Sequence, residues 1–425
     1  MTNDNRQMWT DLGINLKPHD ELLNALSPIF QEIYRAQENR PQGMGFFDFV
    51  VGDIHGIRVR ELREHAINGA KIVATYCVFV PEELVWAADA IPVGLCAGTQ
   101  FSLPFAEEVL PRNTCALIKS SFGFKLGRIC PYVQASHLII GETTCDGKKK
   151  MFEILAEHHP VYVMEVPNKK SKSGRRLWRD EVTAFKDVIE QLTRTKITAD
   201  RLSLATRQVN DRRRSLIRLS ELRKANPVPI SGKDALLVTQ VSFYDDVIRA
   251  TQQINALCDE VEARVTAGEG VFPEKTPRIL VSGSPMAIPN WKLHHILETA
   301  GAAVVCEESC TGTRFFSELV PEDGGTVEEQ LDRIAERYMN IHCACFTPND
   351  ERLDDIVRLA REYRVDGVVH YNLQFCNTYA TEAVRVEQTL DKAGIPLLRI
   401  ETDYSDEDTG QLRTRVDAFL EVIRK

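Results

Sequence analysis

The chain has 425 residues, 43% of them hydrophobic and 27% charged, so it can bury a core but is too long for one ordinary domain. Its net charge of −9 argues against broad binding to nucleic acid or to anionic membranes. No apolar run approaches the ~20 residues needed to cross a bilayer. The first residues also lack the basic and apolar regions of an export signal. We therefore expect a cytoplasmic protein.

Residues 1–70 are predicted to form an N-terminal helical segment, because apolar residues such as Leu22, Leu26, Ile29 and Ile33 recur at helical spacing. Over residues 71–170 the pattern changes to a first α/β domain, in which short β-rich runs alternate with helices. Its predicted strands cover residues 72–77, 91–95, 138–140 and 161–166. This alternation is typical of a parallel sheet, whose ligand-binding loops follow the carboxyl ends of the strands.

Residues 171–275 are nearly free of strand signals and are predicted to form a helical segment. The alternating pattern resumes in a second α/β domain, residues 276–425. Its predicted strands cover residues 279–281, 303–306, 367–371 and 397–401. The predicted fold is α/β, with two doubly wound, flavodoxin-like or Rossmann-like parallel-sheet domains and additional helical segments. The two halves resemble an internal duplication, and we expect the functional site in the cleft between them.

The eleven cysteines are the most unusual feature of the composition. A reducing cytosol and a large core argue against structural disulfides. Six cysteines lie in predicted loops after strands or before helices: Cys115, Cys130, Cys145, Cys310, Cys345 and Cys376. Thiolates gathered in such loops are the ligands that an iron–sulfur cluster requires. Any of these residues, taken alone, can equally be a small buried core residue. That is our interpretation of Cys77, Cys96 and Cys258, whereas Cys306 and Cys343 stay undecided.

Other cofactor sites lack their usual signatures. The sequence has no Cys-x2-Cys pair of the kind that indicates a zinc site. It also lacks the Cys-x3-Cys-x2-Cys motif of radical-SAM enzymes, because Cys306 and Cys310 have the first spacing but the third position is Thr313. The segment from Gly141 to Lys148 has five residues between its glycines and no Ser or Thr after the lysine, so it is no phosphate loop. If ATP is used, we therefore expect another protein to hydrolyse it.

Four segments together resemble the 2-hydroxyacyl-CoA dehydratase and benzoyl-CoA reductase superfamily: YCVFVPEEL from Tyr76, LPRNTCALIKSSFGF from Leu110, GETTCDGKKKM from Gly141 and LQFCN from Leu373. The resemblance covers roughly residues 45–425. Towards the N-terminus, QENRPQGM from Gln37 and FFDFVV from Phe46 are similar to one branch, the double-cubane cluster proteins.

The resemblance to that branch implies a homodimer. Each subunit would hold an [8Fe-9S] double-cubane cluster by six cysteines. Electrons would come from a separate ATP-hydrolysing [4Fe-4S] activator protein. The expected activity is the reduction of a small unsaturated molecule, whose physiological identity the sequence does not reveal.

The resemblance implies a set of cysteine ligands, each at a position where a motif of this sequence matches one of the family. The three positions that hold a single [4Fe-4S] cluster in dehydratase subunits fall on Cys115, Cys145 and Cys376. Three further cysteines, Cys130, Cys310 and Cys345, are candidates for a second cubane, with Cys343 as the substitute for Cys345. Glu142 and Ser309 lie beside two of these cysteines and are candidate proton or hydrogen-bond donors. Capping of their loops is the alternative for both.

Two other functions stay open. One is a 2-hydroxyacyl-CoA dehydratase subunit with one [4Fe-4S] cluster and a distinct partner subunit. The other is an electron-transfer or cluster-carrier protein without a substrate of its own. An iron count of about eight per chain favours the double-cubane reductase, and a count of about four favours the dehydratase.

Overall fold

The computed structural model describes residues 3–95 and 97–424. The N-terminal segment is helical as predicted, with α1 (Asn3–Asp11), α2 (Leu16–Phe30), a π-helical turn (Gln31–Arg35), α3 (Met44–Gly52) and α4 (Ile57–Ile67). Within the described ranges, no helix combines the length and apolar character needed to cross a membrane.

The first sheet has four parallel strands, β1 (Ile72–Thr75), β2 (Ile91–Gly94), β3 (Leu138–Glu142) and β4 (Val161–Met164), in the order β2-β1-β3-β4. The segments between them form a short 3₁₀ turn (Gln100–Ser102) and the helices α5 (Glu82–Ala87), α6 (Leu103–Glu107), α7 (Ala116–Leu126), α8 (Pro131–Ala135) and α9 (Asp146–Leu155). All four residues of β1 and all five of β3 are buried, as expected for a parallel sheet that is covered on both faces.

The second sheet repeats this arrangement with β5 (Arg278–Gly283), β6 (Ala303–Glu308), β7 (Gly367–Leu373) and β8 (Leu397–Thr402), in the order β6-β5-β7-β8. Its helices are α14 (Lys292–Thr299), α15 (Thr313–Phe316), α16 (Val327–Met339), α17 (Asp350–Glu362), α18 (Asn377–Lys392) and α19 (Thr409–Ile423). The predicted fold class is therefore confirmed, and the matching strand orders agree with the predicted resemblance between the halves.

Four helices connect the two sheets: α10 (Lys172–Thr193), α11 (Ala199–Leu222), α12 (Gly232–Val241) and α13 (Val247–Ala267). In α10, Trp178, Val182, Phe185 and Ile189 recur every three or four residues and form its buried face. Every residue of α12 is buried, so this helix runs through the interior.

Helix α11 contacts both halves through buried ion pairs. Arg213 Nη1 donates to Glu83 Oε1 of α5 at 2.7 Å, and its Nη2 donates to the hydroxyl of Tyr338 in α16 at 3.0 Å. That hydroxyl in turn donates to Glu83 Oε2 at 2.8 Å. Burial raises the pKa of Glu83, but Arg213, Arg337 and the hydrogen bonds to the carboxylate together hold the pKa below its usual range. One guanidinium therefore joins the first half, the connecting helices and the second half.

The halves also touch directly, backbone against backbone. The N–H of Gly98 donates to the carbonyl of Ile288 at 3.1 Å. A Cβ atom at position 98 would lie only 1.8 Å from the carbonyl oxygen of Ala287, so only glycine permits this approach.

Replacing Arg213 by leucine is expected to lower the free energy of unfolding by about 3–5 kcal/mol, because the buried Glu83 then keeps its charge without a cation. Urea denaturation measures the change. Arg214→Leu is the matched control: Arg214 pairs with Asp211, its side chain is 45% exposed, and its loss should cost at most about 1 kcal/mol. Equal losses in the two variants would contradict the role given to Arg213.

Candidate metal centre

The carboxyl ends of both sheets face one cavity of about 1540 Å³. Loops that follow β1, β3, β5, β6 and β7 contribute to its wall, together with the loop between α16 and α17 and the start of α10. This is the edge at which parallel α/β sheets bind their ligands. The cavity thus occupies the position between the halves that the topology predicts.

Among residues 3–95 and 97–424, seven thiol-bearing residues line this cavity: Cys77, Cys115, Cys145, Cys310, Cys343, Cys345 and Cys376. Three come from the first half and four from the second. Five of the six cysteines predicted from the sequence are among them. Both halves therefore contribute thiols to a single space.

A first group of thiols lies at helix N-termini. Cys115, Cys145 and Cys376 are the residues that immediately precede α7, α9 and α18. The N–H of Lys148 donates to Cys145 Sγ at 3.4 Å. A hydrogen bond between Cys115 and Cys376 lowers the pKa of the Cys115 thiol and raises that of Cys376. Burial raises the pKa of Cys145, and the backbone N–H groups of Lys148 and Gly147 at the start of α9 oppose that shift. The positive ends of three helix dipoles therefore lie at these sulfurs and partly offset the cost of charging them.

A second group comprises Cys77, Cys310, Cys343 and Cys345. A hydrogen bond with Cys345 lowers the pKa of Cys343 to about 6 and raises that of Cys345. Burial raises the pKa of Cys77, to about 11, and also that of Cys310, while the charge of Lys148 opposes both shifts. These mutual interactions show that the four thiols lie close to one another.

Cys130 does not belong to the set. It is fully buried and is not part of the cavity wall. It precedes α8, a five-residue helix that leads into the amino end of β3, so it lies towards the opposite edge of the sheet. The expectation that its loop faces the cleft was wrong for this reason.

Cys77 lies on the cavity wall and is only half-buried, which corrects its interpretation as a core residue. The predicted strand 72–77 ends two residues earlier, at Thr75, so Cys77 belongs to the loop after the carboxyl end of β1. Cys258 and Cys306 are fully buried outside the wall, as core cysteines are. Cys96 lies outside the described residues.

The two candidate proton donors do not reach the cavity. Ser309 is fully buried, and its Oγ accepts the N–H of Thr311 at 3.2 Å, which makes it a loop cap. Glu142 is also fully buried and forms an ion pair with the ammonium group of Lys148. Lys148, not Glu142, is the member of this pair that lines the cavity.

Three residues escaped the sequence analysis: Phe375 and Tyr379 on the cavity wall, and the buried Arg314 behind it. Arg314 and Tyr379 contact thiols of the second group. Phe375, which precedes Cys376, has a φ of 64° and a half-exposed side chain on the cavity wall. Left-handed backbone at a bulky residue is uncommon and is concentrated at functional sites. These contacts are made by tertiary packing and cannot be read from the sequence. The one available signal was that Phe375 immediately precedes Cys376, a predicted ligand.

The cavity wall offers the type of donor that an iron–sulfur cluster uses. Thiolates bind the different iron atoms of such a cluster, and seven described thiols face this one space. Among the described residues, no three His, Cys, Asp or Glu side chains form a group that could hold a single metal ion.

Comparisons with known proteins agree with this site. Residues 77–423 match the family described as 2-hydroxyglutaryl-CoA dehydratase, D-component. A protein of Escherichia coli (strain K12), provisionally named dehydratase subunit YjiM, is 39% identical over 86% of this chain and 94% of its own. The (R)-phenyllactyl-CoA dehydratase beta subunit of Clostridium sporogenes is 26% identical over 84% and 92%. A benzoyl-CoA reductase subunit of Thauera aromatica is 19% identical over 88% and 95%.

The named relatives are subunits of dehydratases and of a reductase, and the family match covers seven of the eight described strands and all seven described thiols of the cavity wall. A family match of this extent goes beyond a shared fold. The chain therefore belongs to the 2-hydroxyglutaryl-CoA dehydratase D-component family of enzymes, within the 2-hydroxyacyl-CoA dehydratase and benzoyl-CoA reductase superfamily.

Proposed function

We propose that the protein is an iron–sulfur reductase that carries an [8Fe-9S] double-cubane cluster and reduces a small unsaturated molecule. The observation that supports this proposal best is the set of seven thiols on one cavity wall, divided into a group of three and a group of four. Two groups of this size supply the three ligands that each of two linked cubanes needs.

The proposed ligands are Cys115, Cys145 and Cys376 for one cubane, and Cys77, Cys310 and one of Cys343 and Cys345 for the other. Cys77 takes the place that the sequence analysis gave to Cys130, because it lies on the wall and Cys130 does not. Cys343 and Cys345 are one residue apart and share a hydrogen bond, so either sulfur could occupy the sixth position.

When bound, the cluster would supply electrons at low potential. The protein would offset its negative charge from two sides. Three helix N-termini point at the first thiol group, and Lys148 adds a cation to the wall between the groups. Glu142 would act as a positioning residue, since its buried carboxylate holds that ammonium group in place.

The cavity also has room for a substrate. Its volume of about 1540 Å³ exceeds the ~300–1,000 Å³ of ordinary small-molecule sites. The same space could therefore hold the metal centre and a small molecule beside it. Thr144, Asn377 and Thr378 line the wall and would offer hydrogen bonds to a polar substrate.

The proposal includes partners. No nucleotide-binding motif occurs in the sequence, so ATP would be hydrolysed by a separate [4Fe-4S] activator protein that passes electrons to this chain. We further propose a homodimer that works in the cytoplasm, without nucleic acid or membrane as a partner.

A second candidate function is that of a dehydratase subunit with a single [4Fe-4S] cluster. The names of the relatives favour it, and the three thiols of the first group would suffice as ligands. The four further thiols on the same wall would then have no role, which is why we prefer the double-cubane reductase.

Iron and sulfide analysis of anaerobically purified protein separates the two functions. The double-cubane assignment predicts about eight iron atoms per chain, whereas a dehydratase subunit would contain about four. EPR spectra of the reduced protein check that this iron is present as a cluster. A chain that reproducibly binds about four iron atoms, in a spectrum of one cubane, would refute the double cubane.

Substitution of Cys77 tests the corrected ligand set. Cys77→Ser is expected to lose about half of the iron or more, because one cubane loses a thiolate. Cys130→Ala is the matched control and should keep the full iron content, since that thiol lies away from the cavity. The reverse result, with loss only in Cys130→Ala, would restore the assignment made from the sequence.

Activity assays distinguish an enzyme from an electron carrier. With activator protein, ATP and reductant, the loaded protein is expected to turn over small probes such as acetylene or azide. Omission of ATP should abolish turnover, because the low-potential electrons then lose their driving force. A fully loaded protein that accepts electrons but converts no probe would support the carrier function instead.

A further inference from the structure

The two thiol groups differ in how the protein stabilises their charge. The first group relies on helix N-termini, as described above. The second group is contacted by side chains: Arg314 Nη1 lies 3.9 Å from Cys310 Sγ, and the hydroxyl of Tyr379 lies 4.0 Å from Cys343 Sγ. Both are weak hydrogen bonds to sulfur, made by groups that the family motifs quoted above do not contain.

Arg314 and Tyr379 act on the thiols as a connected pair. The guanidinium donates to the Tyr379 oxygen, which leaves the phenolic proton free to point at Cys343. The same guanidinium stacks on the tyrosine ring, 5.2 Å from its centroid. Arg314 therefore stabilises negative charge on Cys310 directly and on Cys343 through the hydroxyl of Tyr379.

The position of Arg314 is fixed by a fully buried carboxylate. Glu308 accepts from Arg314 Nε at 2.6 Å and from its Nη2 at 2.9 Å. Arg352, also fully buried, donates to the same carboxylate at 3.0 Å. Two guanidinium groups thus share the carboxylate of Glu308. A second carboxylate, that of Glu382, forms an ion pair with Arg352. The two guanidinium groups and the two carboxylates balance in charge, and Arg314 is the member of this network that contacts Cys310.

We propose that Arg314 and Tyr379 raise the reduction potential of the metal centre beside Cys310 and Cys343, an inference that rests on the function proposed above. Reduction adds one electron, and hence one negative charge, to that centre, with the activator as its source. A fixed cation and a hydrogen bond to sulfur stabilise the reduced form more than the oxidised form. No proton moves and no protein bond changes in this step.

The two thiol groups would then be tuned by different parts of the protein. Helix N-termini act on the first group, whereas Arg314 and Tyr379 act on the second. Arg314 and Tyr379 are positioning and tuning residues in this scheme, since neither contacts the substrate.

Tyr379→Phe in the anaerobically purified holoenzyme is the primary test, because it removes only the hydroxyl. At the potential where the parent centre is half-reduced, the ratio of reduced to oxidised centre should fall about tenfold. This corresponds to about 59 mV for a one-electron couple. EPR-monitored redox titration measures the shift. Tyr363→Phe is the matched control: it is equally buried, its hydroxyl contacts Ser220, and its potential should not change.

Arg314→Lys is the second variant, since lysine keeps the charge but cannot contact Glu308 and Tyr379 together. It should also lower the potential while the iron content stays at the parent value. An unchanged reduction potential in either iron-loaded variant overturns the proposal. Loss of the metal from both variants also overturns it, because the two residues would then be needed to bind the centre and not to tune its potential. A parent protein without about eight iron atoms refutes the proposed function instead.

Discussion

The buried guanidinium groups of α11 and its C-terminal end hold the whole arrangement together. Arg213 bonds Glu83 of the first half and Tyr338 of the second, and Arg223 bonds both oxygens of Glu307 at 2.7 Å. A buried charge destabilises the folded protein unless its partners are in place. These ion pairs therefore favour one relative position of α11 and the two halves. Because the thiols come from both sheets, that single position also determines how far apart the sulfurs lie.

The electrostatics of the cavity follow from this architecture. Parallel strands end at one edge, and the helices that start there direct their N-termini to Cys115, Cys145 and Cys376. On the other side, the loop after β6 carries Cys310 beside the buried network of Glu308, Arg314 and Arg352. The fold therefore surrounds sulfur with positive potential in two different ways. Both would stabilise negative charge on these sulfurs.

Much of the fold could be predicted from the sequence, because buried parallel strands are short apolar runs that alternate with amphipathic helices. Five cavity cysteines were also predictable, since they stand in loops or motifs. Cys77 was missed because apolar residues continue past the end of β1. Cys130 was wrongly assigned to the cavity, because its position in a loop near a strand does not reveal whether that loop lies at the amino or the carboxyl edge of the sheet. Arg314 and Tyr379, 65 residues apart, meet only through tertiary packing.

The backbone contact at Gly98 brings the two halves together at one point of the cavity wall. The halves meet there with no side chain between them, next to cavity residues Ala97 and Ala287. Swinging the halves apart would break this contact and expose the ion pairs of α11 as well. The two loops therefore keep one separation at this point, and any side chain at position 98 would push this part of the wall apart.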